Sequence, residues 1–172
     1  VYGDMGLKPT YVKAAFEYAY DELKKQNVQN KVTLFYNDYD TYFSVDDELA
    51  LISYINEGEE AKICGGIGMQ SHVDIKRPTL EEYGNALKAF INAGLEVQIT
   101  ELDITINFDT DDTDGRTPTY AYKNEKETDA DQAAFTKDFI KQIVDIQKNR
   151  DKTISPKGIT GITVWGISDQ TS

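Results

Sequence analysis

Two carboxylates and one histidine are the residues of this sequence best placed to do chemistry together. Glu101 and Asp103 end the run Val97-Gln98-Ile99-Thr100-Glu101-Leu102-Asp103, whose apolar and β-branched residues predict a buried strand. A carboxylate that leaves a dry strand at the edge of a sheet can stay ionised and meet a substrate carbon, so Glu101 is a candidate nucleophile. Asp103 lies two residues further on and therefore points to the same side of an extended strand.

His72 is the one histidine of the chain and ends another short predicted strand. From that position it could hydrogen-bond both carboxylates and fix the orientation and ionisation of Glu101. Ordinary interpretations stay open for each residue. Glu101 could cap the loop after its strand, and His72 could be a satisfied core or surface histidine. Trp165, at the end of the last predicted strand, could simply fill the interior, whereas against a sugar its flat face would form a stacking wall.

Hydrophobic periodicity predicts the elements that must position these residues. Apolar residues recur at helical spacing over 10–25, 45–56, 80–91 and 128–148, and Thr79 with Glu82 forms a capping-box pattern ahead of the third helix. Strands are predicted over 32–36, 65–72, 95–104 and 159–166, and the glycines of the second indicate a close approach of neighbouring backbone. This alternation implies parallel strands joined by right-handed crossovers.

Polar or aromatic residues follow each predicted strand, which favours a barrel over an open doubly wound sheet. In chain order they are Asn37 and Asp38, Gln70 and His72, Glu101 and Asp103, and Trp165 and Asp169. All βα loops of a barrel surround one mouth, whereas an open sheet gathers ligands at one switch point. Eight strands close such a barrel in about 250 residues, and this chain supplies about four. We therefore expect an α/β fold, part of a TIM (β/α)8 barrel, with residues 1–172 as one incomplete domain; an unrelated open α/β protein is the remaining possibility.

Composition excludes several classes of function. The 172 residues carry 30 acidic against 18 basic side chains and a net charge of −12, which opposes binding to nucleic acid or to anionic membranes. The sequence contains no run of about 18 apolar residues, so no membrane span is predicted. Cys64 is the one cysteine, so neither an intramolecular disulfide nor a thiolate zinc site is expected, and a buried small side chain is predicted there.

An acidic segment, 109–115, has alternating oxygen ligands before a glycine, as calcium loops do. In the register of an EF-hand, however, Thr110 and Ala121 occupy the first and last ligand positions, where Asp and a bidentate Glu are required. A solvated acidic loop is the better interpretation, and no metal is expected.

Four motifs of this chain, in this order, resemble those of glycoside hydrolase family 10 xylanases. They are Tyr36-Asn37-Asp38-Tyr39, Gly66-Ile67-Gly68-Met69-Gln70-Ser71-His72, Ile99-Thr100-Glu101-Leu102-Asp103 and Val164-Trp165-Gly166-Ile167-Ser168-Asp169. The resemblance spans nearly the whole chain and implies strands five to eight of the barrel, beginning in the helix after the fourth strand. It also implies xylan or xylo-oligosaccharides as substrates, no cofactor, and a secreted, extracellular or periplasmic location.

The same resemblance implies a role for each site residue. Glu101 matches the nucleophile, Gln70 and His72 match residues of the glycone site, and Asp103 would hold His72. Trp165 matches the aromatic platform under the −1 sugar. Tyr36 and Asn37 match positions near the leaving-group side.

One part of the family's catalytic pattern has no match in these residues. The general acid/base belongs to an Asn-Glu pair at the end of the fourth strand, but Asn56-Glu57 ends a predicted helix and Asn124-Glu125 lies in a polar loop. We therefore expect a retaining endo-1,4-β-xylanase by family and little activity from the chain alone. Its expected partner is a complementary N-terminal half-barrel or a second copy, and the alternative function is a non-catalytic carbohydrate-binding or interaction module.

Overall fold

The computed structural model describes residues 8–106 and 128–166, which form four helices and five strands. In chain order these are α1 (Thr10–Lys25), β1 (Phe35–Asp38), α2 (Val45–Ile55), β2 (Gly66–Met69), β3 (His72–Asp74), α3 (Leu80–Asn92), β4 (Glu96–Thr105), α4 (Asp129–Asn149) and β5 (Ile159–Val164). The predicted helices are confirmed to within about a residue at most ends. The predicted first strand begins later than expected, at Phe35, and the segment 65–72 is divided between β2 and β3.

Local chemistry explains where the helices begin. The hydroxyl of Thr79 accepts a hydrogen bond from the backbone N–H of Glu82 at 3.2 Å, and the Glu82 carboxylate accepts one from the Thr79 N–H at 2.9 Å. This confirms the capping box predicted for α3. Thr128 and Asp131 form the same reciprocal pair at the start of α4. Each box satisfies backbone donors that a helix leaves unpaired at its first turn.

The sheet is parallel, and its strands lie side by side in chain order. β1 pairs with β2, β2 and β3 pair in succession with one edge of β4, and β5 pairs with the other edge. Because the order never reverses, the described residues contain no switch point of the doubly wound kind. A sheet that adds each new strand on the same side, with a helix between, is a section of a (β/α) barrel.

The core lies between this sheet and the helices outside it. Along β4, Val97 and Ile99 are fully buried on the helix side, while Glu96, Gln98 and Thr100 alternate with them on the other face. Fully burying one such apolar side chain contributes about 1.5–3 kcal/mol. Among the largest buried side chains are Tyr83, Leu87, Phe90, Ile91 and Phe139, from α3 and α4. Cys64 is also buried, as expected, and burial raises the pKa of its thiol to about 11.

A polar network joins the N-terminal ends of the strands on the face opposite the core. Oε2 of Glu96 accepts hydrogen bonds from Lys157 Nζ at 2.7 Å and from Thr33 Oγ1 at 2.8 Å, and Oε1 accepts one from Thr160 at 2.9 Å. Partial burial alone would raise the pKa of Glu96, but the three donors together lower it below its ordinary value. The first residue of β4 is thereby tied to β5 and to the segment that leads into β1.

No helix within the two described ranges is long and apolar enough to cross a membrane. The predicted acidic loop at 109–115, the pair Asn124-Glu125 and Asp169 lie outside the described residues.

Glu48, in the first turn of α2, is a carboxylate that the fold buries. It is 7% exposed, Ser44 Oγ donates to its Oε1 at 3.2 Å, and its Oε2 is buried with no hydrogen-bond partner within the described part of the chain. Desolvation, assisted by the charge of Asp38, raises the pKa of Glu48 to about 7. An acid in the first turn of a helix usually benefits from the helix dipole, but here the cost of burial is larger.

This burial predicts a pH-dependent stability. Between the ordinary pKa of 4.5 and about 7, the unfolded chain releases the Glu48 proton while the folded chain retains it, so the free energy of unfolding falls as the pH rises through this window. The loss amounts to about 3 kcal/mol and is complete above the folded pKa. Glu48→Gln is expected to remove it, which makes the variant more stable than the parent at about pH 8 and brings the two closer at about pH 4.5. Urea unfolding followed by circular dichroism measures the difference. Glu60→Gln, at an exposed loop position, is the control, and parallel profiles for parent and Glu48→Gln would contradict the argument.

Candidate active site

The first residue of β3 and the C-terminal half of β4 bring the three residues of the predicted cluster together. His72 is the direct register partner of Asp103 in the parallel pairing of these strands. The ladder continues through Glu101, whose N–H donates to the carbonyl of Gln70 at 3.0 Å, and the Asp103 N–H donates to that of Ser71 at 3.4 Å. Main-chain hydrogen bonds therefore fix the backbone of both carboxylates.

A β-bulge places Glu101 on this edge. Met69 pairs with Ile99 and His72 pairs with Asp103, so the two residues between β2 and β3 face three residues of β4, and Glu101 lies in the longer stretch. The pairing of β4 with β5 shifts register in the same place. A bulge of this kind bends the strand and re-aims a side chain, and bulges are common beside active sites.

The imidazole of His72 lies between the two carboxylates. Its Nδ1 is 3.0 Å from Oδ2 of Asp103, and its Nε2 is 3.4 Å from Oε2 of Glu101. This geometry confirms that one ring reaches both acids. An imidazolium, which donates from both nitrogens, satisfies both contacts, whereas a neutral ring with its hydrogen on Nδ1 satisfies only the contact with Asp103. The side chains are 37% exposed for His72, 21% for Glu101 and 22% for Asp103, so the cluster is open to a ligand on one side.

Trp165 joins this cluster from the end of β5. Its ring meets that of His72 edge to face, with centroids 5.9 Å apart and planes at 84°. The backbone N–H of Trp165 donates to the carbonyl of Leu102 at 2.9 Å, and this bond ties Trp165 to β4. The side chain remains 50% exposed, so an aromatic face is available beside the ionic cluster.

Asn37 reaches the site across β2. Thr100 Oγ1 donates to Oδ1 of Asn37 at 2.6 Å, although β1 and β4 are not neighbours. Gly68 of β2 makes this contact possible, because a Cβ built there would lie 2.4 Å from Oδ1 of Asn37 and 3.1 Å from Cγ2 of Thr100. The amide NH₂ of Asn37 therefore faces away from Thr100. The close approach of neighbouring backbone expected from the glycines of this segment is confirmed at Gly66, where an added Cβ would lie 2.8 Å from the carbonyl oxygen of Glu96.

Tyr36 and Gln70 take part in the framework of the site. The ring of Tyr36 packs against the core, and its hydroxyl donates to Oδ2 of Asp38 at 2.8 Å. Gln70 holds Glu101 through its main-chain carbonyl. Direct contact of either side chain with a substrate stays a prediction.

Reasoning from the sequence missed two residues that shape the site. Thr100 precedes Glu101 and was expected only as part of a buried strand, yet it fixes Asn37. Tyr42 lies in the loop after β1, and its hydroxyl is 3.0 Å from the carbonyl oxygen of His72 and 2.8 Å from Oδ1 of Asp40. Gly68 was a usable signal for the contact of Thr100, because its missing side chain leaves room over β2. No sequence signal indicates the position of Tyr42.

Comparison with known proteins places the chain in a family. Residues 1–172 match the model described as glycosyl hydrolase family 10. The chain belongs to this family. Two curated relatives are each named endo-1,4-beta-xylanase A. The one from Butyrivibrio fibrisolvens is 51% identical over 111 residues, which cover 64% of this chain and 26% of that protein. The one from Xylanibacter ruminicola is 31% identical over 175 residues, which cover 96% of this chain and 44% of that protein.

A solved structure described as a mutant in complex with xylotriose shows the same fold. The two chains share 26% identity at a TM-score of 0.63, over 94% of this chain and 44% of that one. This family-10 chain therefore spans less than half the length of the relatives and of the structure that it resembles. The fold is a partial TIM barrel, as expected from the sequence.

The contact across β2 predicts the effect of one added methyl group. Gly68→Ala forces Asn37 and Thr100 apart and is expected to lower the free energy of unfolding by about 1–3 kcal/mol, because overpacked sites relax only partly. Gly161→Ala is the matched control, since a Cβ at this strand glycine would meet the Gln98 side chain at an ordinary 3.8 Å. Its effect is expected to stay within about 1 kcal/mol. Urea unfolding of both variants measures the difference, and equal stabilities would contradict the packing argument.

Proposed function

We propose that this chain provides the nucleophile side of a retaining endo-1,4-β-xylanase, with Glu101 as the nucleophile. The arrangement of one imidazole between Glu101 and Asp103, beside the exposed ring of Trp165, carries the proposal. Membership of glycosyl hydrolase family 10 and the names of the two curated relatives support it. Acidic side chains beside an aromatic platform are suited to a neutral sugar whose bond cleavage develops positive charge.

Glu101 has the properties that a carboxylate nucleophile needs. Its backbone is held by the bulged ladder, so the side chain starts from a fixed point. Its Oε2 faces His72, and within the described ranges no donor contacts Oε1. One oxygen is thus oriented by the imidazole while the other is free to meet a substrate carbon. Partial exposure keeps the group accessible while protein surrounds most of it.

The proposed reaction has two steps. In the first, a Glu101 oxygen attacks the anomeric carbon, and the bond from this carbon to the leaving sugar breaks with its electron pair on the leaving oxygen, which takes a proton from a general acid. In the second, water deprotonated by the same group attacks the anomeric carbon, and the glycosyl ester breaks to regenerate the Glu101 carboxylate. Two displacements at one carbon retain its configuration.

Asp103 orients His72, and His72 in turn contacts Glu101. Asp103 accepts from Nδ1 and so directs Nε2 of His72 toward the nucleophile. Formation of the glycosyl ester removes the negative charge of Glu101, and hydrolysis restores it. As an imidazolium, His72 would donate from Nε2, which lies 3.4 Å from Oε2 of Glu101, and so stabilise the restored carboxylate as a leaving group in the second step.

The sugar contacts follow from the exposed groups around this cluster. Trp165 offers its ring face to the apolar face of a xylose unit, and the Asn37 amide, oriented by Thr100, offers two donors to sugar oxygens. Gln70 is proposed as a further hydrogen-bonding partner at the glycone site. Xylan and xylo-oligosaccharides are the proposed ligands, and the xylotriose present in the similar solved structure supports this choice.

The second carboxyl group of the mechanism is proposed to come from a complementary N-terminal half-barrel. A retaining pair lies about 5–5.5 Å apart, and the general acid typically contributes 10²- to 10⁴-fold to the rate. The 172-residue chain by itself is therefore expected to be nearly inactive on xylan. Without an acid/base it would act as a binding module, with Trp165 as its principal sugar contact. A secreted, extracellular or periplasmic location is proposed with the xylan substrate.

The nucleophile assignment is tested by mixing this chain with an N-terminal half-barrel taken from the Butyrivibrio fibrisolvens relative and assaying xylan hydrolysis. The parent mixture is expected to be active. Glu101→Gln keeps the size of the side chain but removes the nucleophilic charge, so kcat is expected to fall by about 10³-fold or more.

Glu81→Gln is the matched control, because it makes the same chemical change at an exposed position in the first turn of α3, on the outer helical layer. Its activity is expected to equal that of the parent. Unchanged activity in Glu101→Gln would exclude Glu101 as the nucleophile. Activity lost to the same extent in both variants would show that the loss does not come from the nucleophile.

A half-barrel is also expected to associate with another chain. The outer edges of β1 and β5 have no paired strand among the described residues, and Ile162 and Val164 of β5 are 41% and 70% exposed. Such edges and apolar side chains favour pairing with another chain. Size-exclusion chromatography with light scattering at micromolar concentration is expected to show dimers or larger species, and Val164→Thr, which keeps the branched shape but removes apolar surface, is expected to shift them toward monomer. A monodisperse parent monomer would contradict this expectation.

A further inference from the structure

The chain between β2 and β3 adopts a conformation that its residue type disfavours. Ser71 has a φ of 67° and is 1% exposed, although a residue with a Cβ rarely occupies this left-handed region. It immediately precedes His72 and faces the bulged stretch of β4. Something in the surrounding structure must therefore hold Ser71 in place, and the direction of the His72 side chain depends on it.

A buried chain of hydroxyl groups supplies this constraint. Ser71 Oγ lies 3.1 Å from the carbonyl oxygen of Met69 and 2.7 Å from the hydroxyl oxygen of Tyr83. A carbonyl can only accept, so the Ser71 hydroxyl donates to Met69 and the Tyr83 hydroxyl donates to Ser71. Tyr83 projects from α3, in the layer outside the sheet, and is fully buried. The direction of the chain thus runs from the helix to the bend.

We propose that Tyr83 is a positioning residue for the active site, which acts through Ser71 on the orientation of His72. The inference rests on the proposed function, in which His72 orients the nucleophile. Tyr83 lies outside the Glu101–His72–Asp103 cluster and is therefore not a catalytic residue.

The environment of Tyr83 separates its hydroxyl from its ring. The ring packs against Phe139 with centroids 4.5 Å apart and against Tyr42 at 5.6 Å, so a phenylalanine would fill the same space. Burial raises the pKa of Tyr83 above its ordinary value, so the hydroxyl keeps its proton and remains a donor at neutral pH. Packing needs the ring, and the bend before His72 needs the hydroxyl.

Nuclear magnetic resonance tests the orientation directly on the 172-residue chain. The sequence has one histidine and one tryptophan, so the cross-relaxation signal between the His72 and Trp165 rings, 5.9 Å apart between centroids, needs no further assignment. Tyr83→Phe and Ser71→Ala each break the hydroxyl chain and are expected to reduce this signal by about half or more. The double variant is expected to lose no more than either single variant, because both changes break one connection.

Ile91→Val is the matched control. It removes a buried methyl group from α3, about two turns beyond Tyr83, and leaves the hydroxyl chain intact. The proposal is overturned if the ring-to-ring signal persists in both hydroxyl variants, or if Ile91→Val reduces it equally. Should Tyr83→Phe fail to fold, Ser71→Ala decides the question by the same criterion.

Kinetics in the reconstituted barrel separates this inference from the proposed function. Tyr83→Phe is expected to lower kcat by about tenfold and to leave KM within about twofold, because it misplaces a group that acts on the nucleophile rather than on substrate binding. If the parent barrel shows no xylan hydrolysis, the proposed function fails while the ring-to-ring signal still decides the role of Tyr83. An active parent with an unchanged kcat in Tyr83→Phe would count against positioning.

Discussion

Strand β4 is hydrogen-bonded along both of its edges, and the positions of Glu101, Asp103, His72 and Trp165 depend on this double pairing. β2 and β3 lie along one edge and β5 along the other. The ladder through Gln70 and Ser71 fixes the backbone of Glu101 and Asp103, and the carbonyl of Leu102 holds Trp165. Since the bulge lies within this central strand, the strands on both sides adapt to it. The site therefore lies at an irregular stretch of β4, and the regular pairing of β4 with its neighbours holds this stretch in place.

Within that framework, electrostatics decides how the side chains are arranged. Two carboxylates that share one region repel each other unless a donor lies between them. His72 fills this place, with one nitrogen directed to each acid. The two acids therefore have different environments. Asp103 contacts the ring of its direct register partner, His72, whereas Glu101 lies in the bulge and keeps one oxygen for a ligand. Two chemically similar acids can then perform different tasks.

The sequence was sufficient to predict the architecture and the members of the ionic cluster. Periodicity located the helices, and the capping residues Thr79 and Glu82 fixed the start of α3 because capping is a local interaction. The bulge could not be predicted, because the alternation of side chains along a strand assumes that each residue faces one residue of the neighbouring strand, and an extra residue breaks this rule. Burial of Glu48 was also missed, since an acid in the first turn of a helix is favourable in isolation and only tertiary packing removes its water. The bend at Ser71 depends on a hydroxyl from a helix twelve residues away, and no local pattern encodes that contact.

The network around Glu96 has a consequence for how this fold can change. Its donors come from two separate parts of the chain that converge at the N-terminal ends of the strands: Thr33 precedes β1, and Lys157 and Thr160 lie around the start of β5. A slip of one strand by a single residue would break at least one of these contacts and turn its side chains to the wrong face. The relative heights of the strands are therefore set at the end remote from Glu101. Loops at the opposite rim can lengthen, shorten or exchange residues without moving Glu101, the proposed nucleophile, along the barrel axis, so residues that contact a ligand can change while the ionic cluster stays in place.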